Sequence, residues 1–387
     1  MTAEQSTRTR ELLHPAADGP FFEWHPDELA GDATDAVCAE LSRLAYAPLS
    51  RIEAELPRVG FELLGPLRSK RLFPAQADTD GFVCRDRRRD AVIAVFRGTE
   101  TGNFDDLLSN LLVDPVEWRP GMMAHRGFAA TFDELRGPLD RFFALPVSRR
   151  LATGHSLGGA LATLCSADFP EAELVTFGAP RVGTESVFFR QRRPVRRYVH
   201  CCDLVPRVPP ASFAAADVQE IADGLLDNFG EPEGWLGVAT QAAIRQTARL
   251  AAGSMARMAE LRGWAHRFVH PRPLLYLDRR GAIHAEPAAE AVTADQRQAR
   301  RDYREALGGQ GTPGDSGTVL EALAALSAAL LRADRSAAGR ARETLFRELA
   351  RSDSLGRVVV RDLADHAAIH YVRALVAEAR PPRRVGG

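Results

Sequence analysis

The sequence has few cysteines, almost no lysine and no long apolar run. Lys70 is the only lysine among 50 basic residues, a bias that we attribute to genome base composition. The 51 acidic residues leave a formal net charge of −1, so no overall field attracts nucleic acid or an acidic membrane, and we expect no nucleic-acid partner. Five arginines cluster within residues 190–197. We interpret them as a solvated edge between a helix and a strand, rather than as a phosphate or anionic-lipid site.

The cysteines and histidines do not show the spacing of a metal site. The cysteines are odd in number, irregularly spaced and without a C-x-x-C pair, at Cys38, Cys84, Cys165, Cys201 and Cys202. A disulfide framework and a zinc knuckle are therefore disfavoured, and packing is the expected role of these thiols. The sequence has no H-E-x-x-H or similar ligand pattern, which argues against a metal-dependent hydrolase. We predict neither a metal ion nor another cofactor.

Signals for membrane insertion and export are also missing. The nearest approach to a spanning helix, Val319–Leu331, is short and contains Glu321, so we expect no transmembrane segment. The amino-terminal residues are polar and lack the apolar stretch of a Sec-type signal. The expectation is therefore a cytoplasmic protein, or one exported by a signal-independent route.

The composition is that of a globular protein with a sizeable core, since 45% of the 387 residues are hydrophobic. We predict a disordered lead over residues 1–18, a single domain over 19–379 and a basic tail over 380–387. Two alanine- and arginine-rich stretches, at about 211–265 and 286–352, have the composition of helical insertions. We expect them to form a cap over the core.

Short apolar strands alternate with helices along the chain. An amphipathic helix is predicted from Asp35. The continuously apolar run Ala91–Phe96 is typical of a central strand buried on both faces, and an antiparallel partner is predicted at Gly81–Cys84. Further strands are predicted at Leu174–Phe177 and Arg196–Cys202. This alternation predicts an α/β fold with a mostly parallel sheet and helices on both faces.

The rest of the chain is organised around the stretch Leu151–Cys165. Its centre reads GHSLG from Gly154 to Gly158 and matches G-x-S-x-G, the nucleophile elbow that places a serine on a tight turn between a strand and a helix. A serine in that strained conformation brings the flanking chain close to itself, and glycines two residues to either side relieve the clash. We predict Ser156 as a nucleophile, and the alternative is a buried serine in a glycine-rich turn.

An elbow serine needs a base to take its proton and a carboxylate to orient that base. In the α/β-hydrolase arrangement the acid and then the histidine follow the serine, at or just after the carboxyl ends of strands. Asp203 fits the acid, because it ends the strand Tyr198–Cys202 and precedes a proline-rich loop that would hold it rigidly. Asp168 lies in or just after the helix of the elbow and is badly placed. A loop-capping role is the alternative for Asp203.

The histidine has several candidates downstream of Asp203, at His266, His270, His284, His366 and His370. His270 is predicted within a strand, where it would be buried or paired. His366 stands at the start of a predicted terminal helix, behind Asp365, a geometry that can project an imidazole back toward the strand ends. We predict His366 as the base, with His270 and then His370 as alternatives, and the two insertions account for its distance from Asp203 along the chain.

The oxyanion of an acyl-transfer intermediate needs N–H donors that are already in place. Leu157, the residue after the serine, supplies one backbone N–H by its position. Thr99 follows the strand Ala91–Phe96 and is predicted to supply the second. Residues 103–118 then carry apolar side chains at helical intervals, typical of a surface helix or of a lid over the site. Their position beside the strand end favours the lid.

Seven short motifs follow one another between residues 95 and 371: VFRGT at 95–99, AHRGF at 124–128, GHSLGGALA at 154–162, TFGAPRVG at 176–183, DLVPRVPP at 203–210, HPRPLLYL at 270–277 and DHAAIHY at 365–371. In this order they resemble the class 3, or fungal-type, lipase family of α/β hydrolases. The resemblance implies the α/β-hydrolase fold, with roles for Ser156, Asp203, His366, Thr99 and Leu157 as assigned above. It also implies a lid at 103–118 and places His270 outside the triad.

The function implied by the resemblance is that of a serine carboxylester hydrolase, a lipase acting on triacylglycerol or related acyl esters. A lipid or acyl ester is then the substrate, with a transient contact at a lipid interface. Phospholipase A1 activity on glycerophospholipids is the alternative within the same chemistry. A catalytically silent lipase-like module that binds a protein is the alternative outside it, although the chain retains all three residue types of a triad.

Overall fold

The computed structural model describes residues 20–69, 79–98, 115–212, 267–306 and 365–380, with isolated positions between 214 and 257. The strands within them are β1 (Phe61–Leu67), β2 (Gly81–Asp86), β3 (Ala91–Phe96), β4 (Pro115–Arg119), β5 (Met122–His125), β6 (Arg149–His155), β7 (Ala172–Phe177), β8 (Val195–His200), β9 (Leu274–Leu277) and β10 (Ile283–Ala285). One sheet has the order β1-β2-β3-β6-β7-β8-β9-β10, and β4 pairs separately with β5.

The centre of the large sheet is parallel. Strands β3, β6, β7, β8 and β9 pair in parallel, whereas β1, β2 and β10 join antiparallel at the two edges. Phe96 at the end of β3 lies opposite Gly154 near the end of β6, and His155 lies opposite Phe177 at the end of β7. The residues that follow these three strands therefore lie close together, at the carboxyl ends of the parallel strands.

The helices are α1 (Thr34–Leu44), α2 (Leu49–Arg58), α3 (Arg126–Phe143), α4 (Leu157–Asp168), α5 (Ala289–Ala306) and α6 (Ala368–Ala379). Helix α1, predicted from Asp35, has that acid in its first turn and Arg43 in its last, which suits the helix dipole. Helix α4 is apolar on nearly every side, and residues 157–167 are all buried. A helix with that composition can only lie in the interior, here against the parallel strands.

The sheet separates two hydrophobic cores. Side chains of α3 and α4 pack on one face, and side chains of α1, α2 and α6 pack on the other. Strand β3 contributes alternately to both, with Phe96 facing the first core and Val95 facing the second. The continuous apolar run of β3 follows from this burial on two faces, and all of its residues are buried as predicted.

The parallel sheet, the helices on both faces and the strand–turn–helix around Ser156 form an α/β-hydrolase fold, as predicted. Two local predictions were wrong. The strand expected at Arg196–Cys202 ends at His200, because Cys201 adopts a positive φ of 22° in a turn. The arginines are not all on a solvated edge: Arg196 forms an ion pair with Asp35, and the buried Arg197 donates to the Pro271 carbonyl oxygen.

Several predictions fall on residues outside the described ranges. These are the lead over 1–18, the tail over 381–387, the lid over 103–114, Thr99, Val319–Leu331 and most of the two insertions. Residues 115–118, predicted as the end of the lid, belong to β4, and α5 lies within the second insertion. In the described part of the chain, no helix combines the length and apolar character needed to cross a membrane.

Candidate active site

Ser156 occupies a strained turn between β6 and α4. Its backbone has φ 58° and ψ −130°, a combination that side-chain-bearing residues rarely adopt. The Ser156 N–H donates to the Phe177 carbonyl oxygen at 3.0 Å, which fixes the turn against the end of β7. The serine side chain therefore lies where the parallel strands β6 and β7 end.

The two glycines of the G-x-S-x-G motif are required by close packing. A Cβ on Gly154 would collide with the backbone of Gly158, and a Cβ on Gly158 would collide with the Phe96 carbonyl group at the end of β3. The start of α4 is thus packed against the ends of β6 and β3. These contacts agree with the sequence-based explanation that only glycine fits at the two positions.

Asp203 and His366 form a buried pair beside this turn. The His366 Nδ1 atom lies 2.9 Å from both Oδ1 and Oδ2 of Asp203, and both residues are almost completely buried. A carboxylate only accepts hydrogen bonds, so Nδ1 carries the proton and the lone pair of a neutral His366 imidazole is on Nε2. This is the tautomer that a general base acting through Nε2 requires.

The Asp203 carboxylate has two further donors. The Val205 N–H donates to Oδ1 at 3.0 Å, and the Tyr371 hydroxyl donates to Oδ2 at 2.8 Å. Tyr371 in turn accepts from the His200 N–H at 3.1 Å. Burial and the neighbouring carboxylate raise the pKa of Tyr371 well above its usual value, so the phenol stays protonated and continues to donate.

Gly178 lies at the point where these groups converge. It follows β7, it has a φ of 57°, and a Cβ built on it would lie 2.6 Å from Asp203 Oδ2 and 2.9 Å from His366 Nδ1. Phe177, the residue before Gly178, accepts the hydrogen bond from the Ser156 N–H. Gly178 therefore connects the serine turn to the Asp203–His366 pair.

We expect Gly178→Ala to lower the free energy of unfolding by about 2–5 kcal/mol, since about 1–2 kcal/mol of backbone strain adds to about 1–3 kcal/mol of steric overlap. The matched control is Gly31→Ala, because Gly31 has a similar φ of 69° and an open space at its Cβ position. That variant should lose only the strain energy of about 1–2 kcal/mol. Denaturant titration measures both values, and equal losses would contradict the crowding at Gly178.

His270, the first alternative base, is used elsewhere. Its Nε2 atom donates to the Pro206 carbonyl oxygen at 2.6 Å. Burial, followed by the guanidinium groups of Arg197 and Arg181, lowers the pKa of His270 well below its usual value. The imidazole of His270 is therefore neutral and anchors the loop after Asp203. The residue precedes β9, which begins at Leu274, and is not within a strand as predicted.

The remaining candidate histidines also differ from His366 in their contacts. The His370 ring faces the His200 ring, with 5.1 Å between centroids. His284 is half exposed on β10 and lies 2.9 Å from Asp278 Oδ2. His266 is outside the described residues. The structure therefore brings His366 to Asp203 and places these other candidates against different partners.

Asp168, the rejected alternative acid, ends α4 far along the helix from Ser156. Its carboxylate forms ion pairs with Arg119 at 3.0 Å and with Arg136 at 2.6 Å. The hydrogen bonds from these two guanidinium groups outweigh the effect of burial, and the pKa of Asp168 is lowered. Its contacts are those of a structural residue that joins α4 to α3 and β4.

For the two predicted oxyanion donors, the structure describes one. Leu157 is the first residue of α4 and is buried, so its N–H is among those at the helix amino terminus that have no partner within the helix. The positive end of the helix dipole is therefore directed at the serine turn. Thr99 is outside the described residues, which end at Gly98 before the gap.

Cys201, Cys202 and Asp365 bring two thiols and a carboxylate within 4.8 Å of one another. The Cys201 thiol is 3.4 Å from Asp295 Oδ2, and the Cys202 thiol is 3.8 Å from the Gln296 carbonyl oxygen. Both thiols are thus engaged with α5, and a tetrahedral zinc site needs a fourth ligand. We assign these side chains to packing between α5 and the end of β8.

Sequence reasoning missed three side chains around the pair: Tyr371, His155 and Tyr46. Tyr371 was visible as the last residue of the DHAAIHY motif but was given no role. His155 is the variable position of the elbow motif, so the motif itself directs no attention to it. Tyr46 follows α1, and nothing in the linear sequence connects it to His155, which lies 109 residues away.

The comparison with known proteins finds similarity to lipases. Residues 93–213 match the family model described as lipase (class 3). The chain is 34% identical over 155 residues to a lipase from Rhizomucor miehei and 31% identical over 156 residues to one from Rhizopus niveus, matches that cover 35% of this chain and 42% and 39% of those proteins. The chain therefore spans about two fifths of the length of these curated relatives.

Among solved structures, a lipase from Rhizopus microsporus var. chinensis is 24% identical, with a TM-score of 0.38 over 50% of this chain and 75% of that one. The segment 93–213 matched by the family model contains the end of β3, the elbow, Gly178 and Asp203. This segment is therefore similar to the class 3 lipase family, as the sequence motifs predicted.

Proposed function

We propose that this protein is a serine carboxylester hydrolase, a lipase that acts on acyl glycerols or related acyl esters. The observation that carries the proposal is the buried Asp203–His366 hydrogen bond beside the strained turn of Ser156. Two relatives that are 31% and 34% identical over part of the chain are lipases, which supports the same reaction. The activity needs neither a metal nor another cofactor, because base, nucleophile and charge stabilisation all come from the chain.

In the first half of the proposed reaction, His366 Nε2 takes the hydroxyl proton of Ser156 as the oxygen attacks the ester carbonyl. The Asp203 carboxylate holds the imidazole by Nδ1 and stabilises the imidazolium that forms. The tetrahedral oxyanion accepts a hydrogen bond from the Leu157 N–H at the start of α4, and we propose Thr99 as the second hydrogen-bond donor to the oxyanion. His366 then gives the proton to the departing alcohol, which leaves an acyl group on Ser156.

The second half repeats these steps with water. His366 takes a proton from a water molecule, the resulting hydroxide attacks the acyl carbonyl, and the same donors stabilise the second oxyanion. Collapse of this intermediate returns the proton to Ser156 and releases the carboxylic acid. The Tyr371 and Val205 donors keep the Asp203 carboxylate in one place during both halves.

We propose that substrate selection lies in the predicted lid, restricted to residues 103–114 because β4 begins at Pro115, and in the insertions at about 211–265 and 286–352, with a transient contact at a lipid interface. Triacylglycerols and glycerophospholipids present the same ester group to Ser156, so the triad chemistry does not distinguish them. Phospholipase A1 activity is accordingly an outcome of the substrate test.

The proposal predicts that a fluorophosphonate probe labels the folded protein on one residue, Ser156, as mapped by mass spectrometry. Labelling is expected because the probe reacts with a serine whose proton is removed by a neighbouring base. A panel of acyl esters of rising chain length, a triacylglycerol emulsion and phospholipid vesicles should show kcat/KM on the order of 10⁴ M⁻¹s⁻¹ or higher for the best ester.

The two measurements separate the alternatives. Labelling at Ser156 with a preference for the emulsion supports the lipase, whereas a preference for vesicles with release of one fatty acid indicates phospholipase A1. A folded protein that is neither labelled nor active on the panel would be a catalytically silent module, and the proposal would be wrong.

A further inference from the structure

His155, the residue before the elbow serine, is buried and engaged at both ring nitrogens. Its Nδ1 atom lies 2.8 Å from the Tyr46 hydroxyl, and its Nε2 atom contacts the backbone carbonyl oxygen of His366. The imidazole rings of His155 and His366 are 4.4 Å apart between centroids, at an angle of 35°. The residue beside the proposed nucleophile therefore contacts the residue proposed as the base.

The contact at Nε2 determines where His155 carries a proton. A carbonyl oxygen can only accept, so the proton of His155 is on Nε2 and is donated to His366. The other nitrogen of a neutral imidazole is then an acceptor, and the Tyr46 hydroxyl is the group that donates to Nδ1. In the neutral Nε2–H tautomer both ring nitrogens thus have a hydrogen bond, with Nε2 donating to His366 and Nδ1 accepting from Tyr46.

The hydrogen bond from the His155 ring reaches the backbone carbonyl oxygen of His366, not its imidazole ring. Asp203 holds the side chain of His366 at Nδ1, and His155 holds the same residue at its own carbonyl oxygen. Two fixed points on one residue define both the position of its peptide unit and the direction of its ring. A shift of about 1 Å in such a group can cost on the order of 100-fold in rate.

The position of Tyr46 is built into the fold. Tyr46 follows α1, which packs against α6, and His366 lies just before α6. A Cβ on Gly98 would collide with the Tyr46 hydroxyl and would lie 2.8 Å from the His155 carbonyl oxygen. The glycine after β3 therefore leaves the space in which Tyr46 reaches His155.

We propose that His155 is a positioning residue for His366, held by Tyr46 as a neutral Nε2–H imidazole. The inference rests on the proposed function, because it matters for catalysis only if His366 is the base. The ring of His155 stays neutral beside a histidine that becomes an imidazolium during each half of the reaction. In this proposal Tyr46 acts through its hydrogen bond to His155.

The test compares His155→Leu, which removes the donor, with His155→Gln, whose amide N–H can reach the same carbonyl oxygen. On a soluble short-chain ester, His155→Leu should lower kcat about 10- to 100-fold with KM changed less than about threefold. His155→Gln should recover kcat to within about tenfold of the wild type. The control is His284→Leu, the same substitution at a half-exposed histidine of β10, which should leave kcat unchanged.

A double-mutant cycle tests the role of Tyr46. Tyr46→Phe removes one oxygen atom and should lower kcat about 3- to 10-fold in the wild type, but should cause no further loss in the His155→Leu background. Equal losses in both backgrounds, or a folded His155→Leu protein within twofold of the wild-type kcat, would overturn the inference. If His155→Leu does not fold, the Tyr46→Phe variant and the spectroscopic test below remain decisive.

NMR of ¹⁵N-histidine-labelled protein provides a readout that does not depend on activity. The His155 ring, assigned by its loss in His155→Gln, should show a protonated Nε2 and an unprotonated Nδ1 near pH 7. An Nδ1–H tautomer or an imidazolium would overturn the inference. A wild-type protein without esterase activity would overturn the proposed function as well, whereas an active wild type that is insensitive to His155→Leu would overturn only this inference.

Discussion

Ser156→Ala is expected to lower kcat/KM for ester hydrolysis by about 10⁴- to 10⁶-fold, because removal of the nucleophile leaves only oxyanion stabilisation and binding. The serine hydroxyl is a single group on a turn fixed by the Phe177 carbonyl and by α4, so the fold should not change. Initial rates on the best ester of the panel measure the loss. Activity within tenfold of the wild type would contradict the assignment of Ser156.

Ser166→Ala is the matched control for this variant. Ser166 lies on α4, the helix that begins directly after Ser156, is also buried, and donates to the Thr163 carbonyl oxygen at 2.9 Å. Loss of that hydrogen bond should cost about 1 kcal/mol of unfolding free energy and leave kcat/KM within about twofold. Comparison of the two alanine variants thus separates loss of a reacting group from loss of a buried hydroxyl.

Asp203→Asn is expected to lower kcat by about 10³- to 10⁴-fold while the backbone stays in place. The argument follows from the donors around the carboxylate. The Val205 N–H donates to Oδ1 and the Tyr371 hydroxyl donates to Oδ2. Asparagine has one oxygen, so its amide nitrogen replaces one of the two oxygens that lie 2.9 Å from His366 Nδ1. An N–H there faces His366 Nδ1, which must then accept, and the imidazole proton moves to Nε2. A histidine protonated at Nε2 cannot take the serine proton.

The control for Asp203→Asn is Asp168→Asn, the same substitution at the alternative acid. Asp168 pairs with Arg119 and Arg136, so its loss should lower the free energy of unfolding by about 1–3 kcal/mol and leave kcat within about twofold. Steady-state kinetics and denaturant titration on both variants distinguish the two roles. The opposite pattern, with kcat sensitive to Asp168 and not to Asp203, would show that the acid was wrongly chosen.

The elbow could be predicted from the sequence because its requirements are local. A positive φ at Ser156 and a helix start pressed against two strands leave no space for a Cβ at Gly154 or Gly158, and a five-residue pattern expresses both conditions. The buried helix α4 was predictable for a similar reason, since its small and apolar composition suits only an interior position.

Other features could not be predicted from the sequence, because they depend on contacts with residues that are distant along the chain. The end of β8 was misplaced because Cys201 and Cys202 read as a continuation of an apolar strand, whereas Cys201 takes a positive φ and turns the chain toward Asp203. The burial of Arg197 against the Pro271 carbonyl was equally invisible. A charged residue in a linear pattern looks exposed until its partners from other segments are known.

The sequence by itself determined the fold class, the resemblance to the class 3 lipase family and the types of side chain that the proposed chemistry needs, because periodicity, glycine positions and motif order are properties of the chain alone. Only the tertiary structure decided which groups meet. Asp203 and His366 are 163 residues apart, and His155 contacts Tyr46 on one side and His366 on the other. Such contacts arise from the alignment of strand ends and the packing of α1 against α6, which no local pattern encodes.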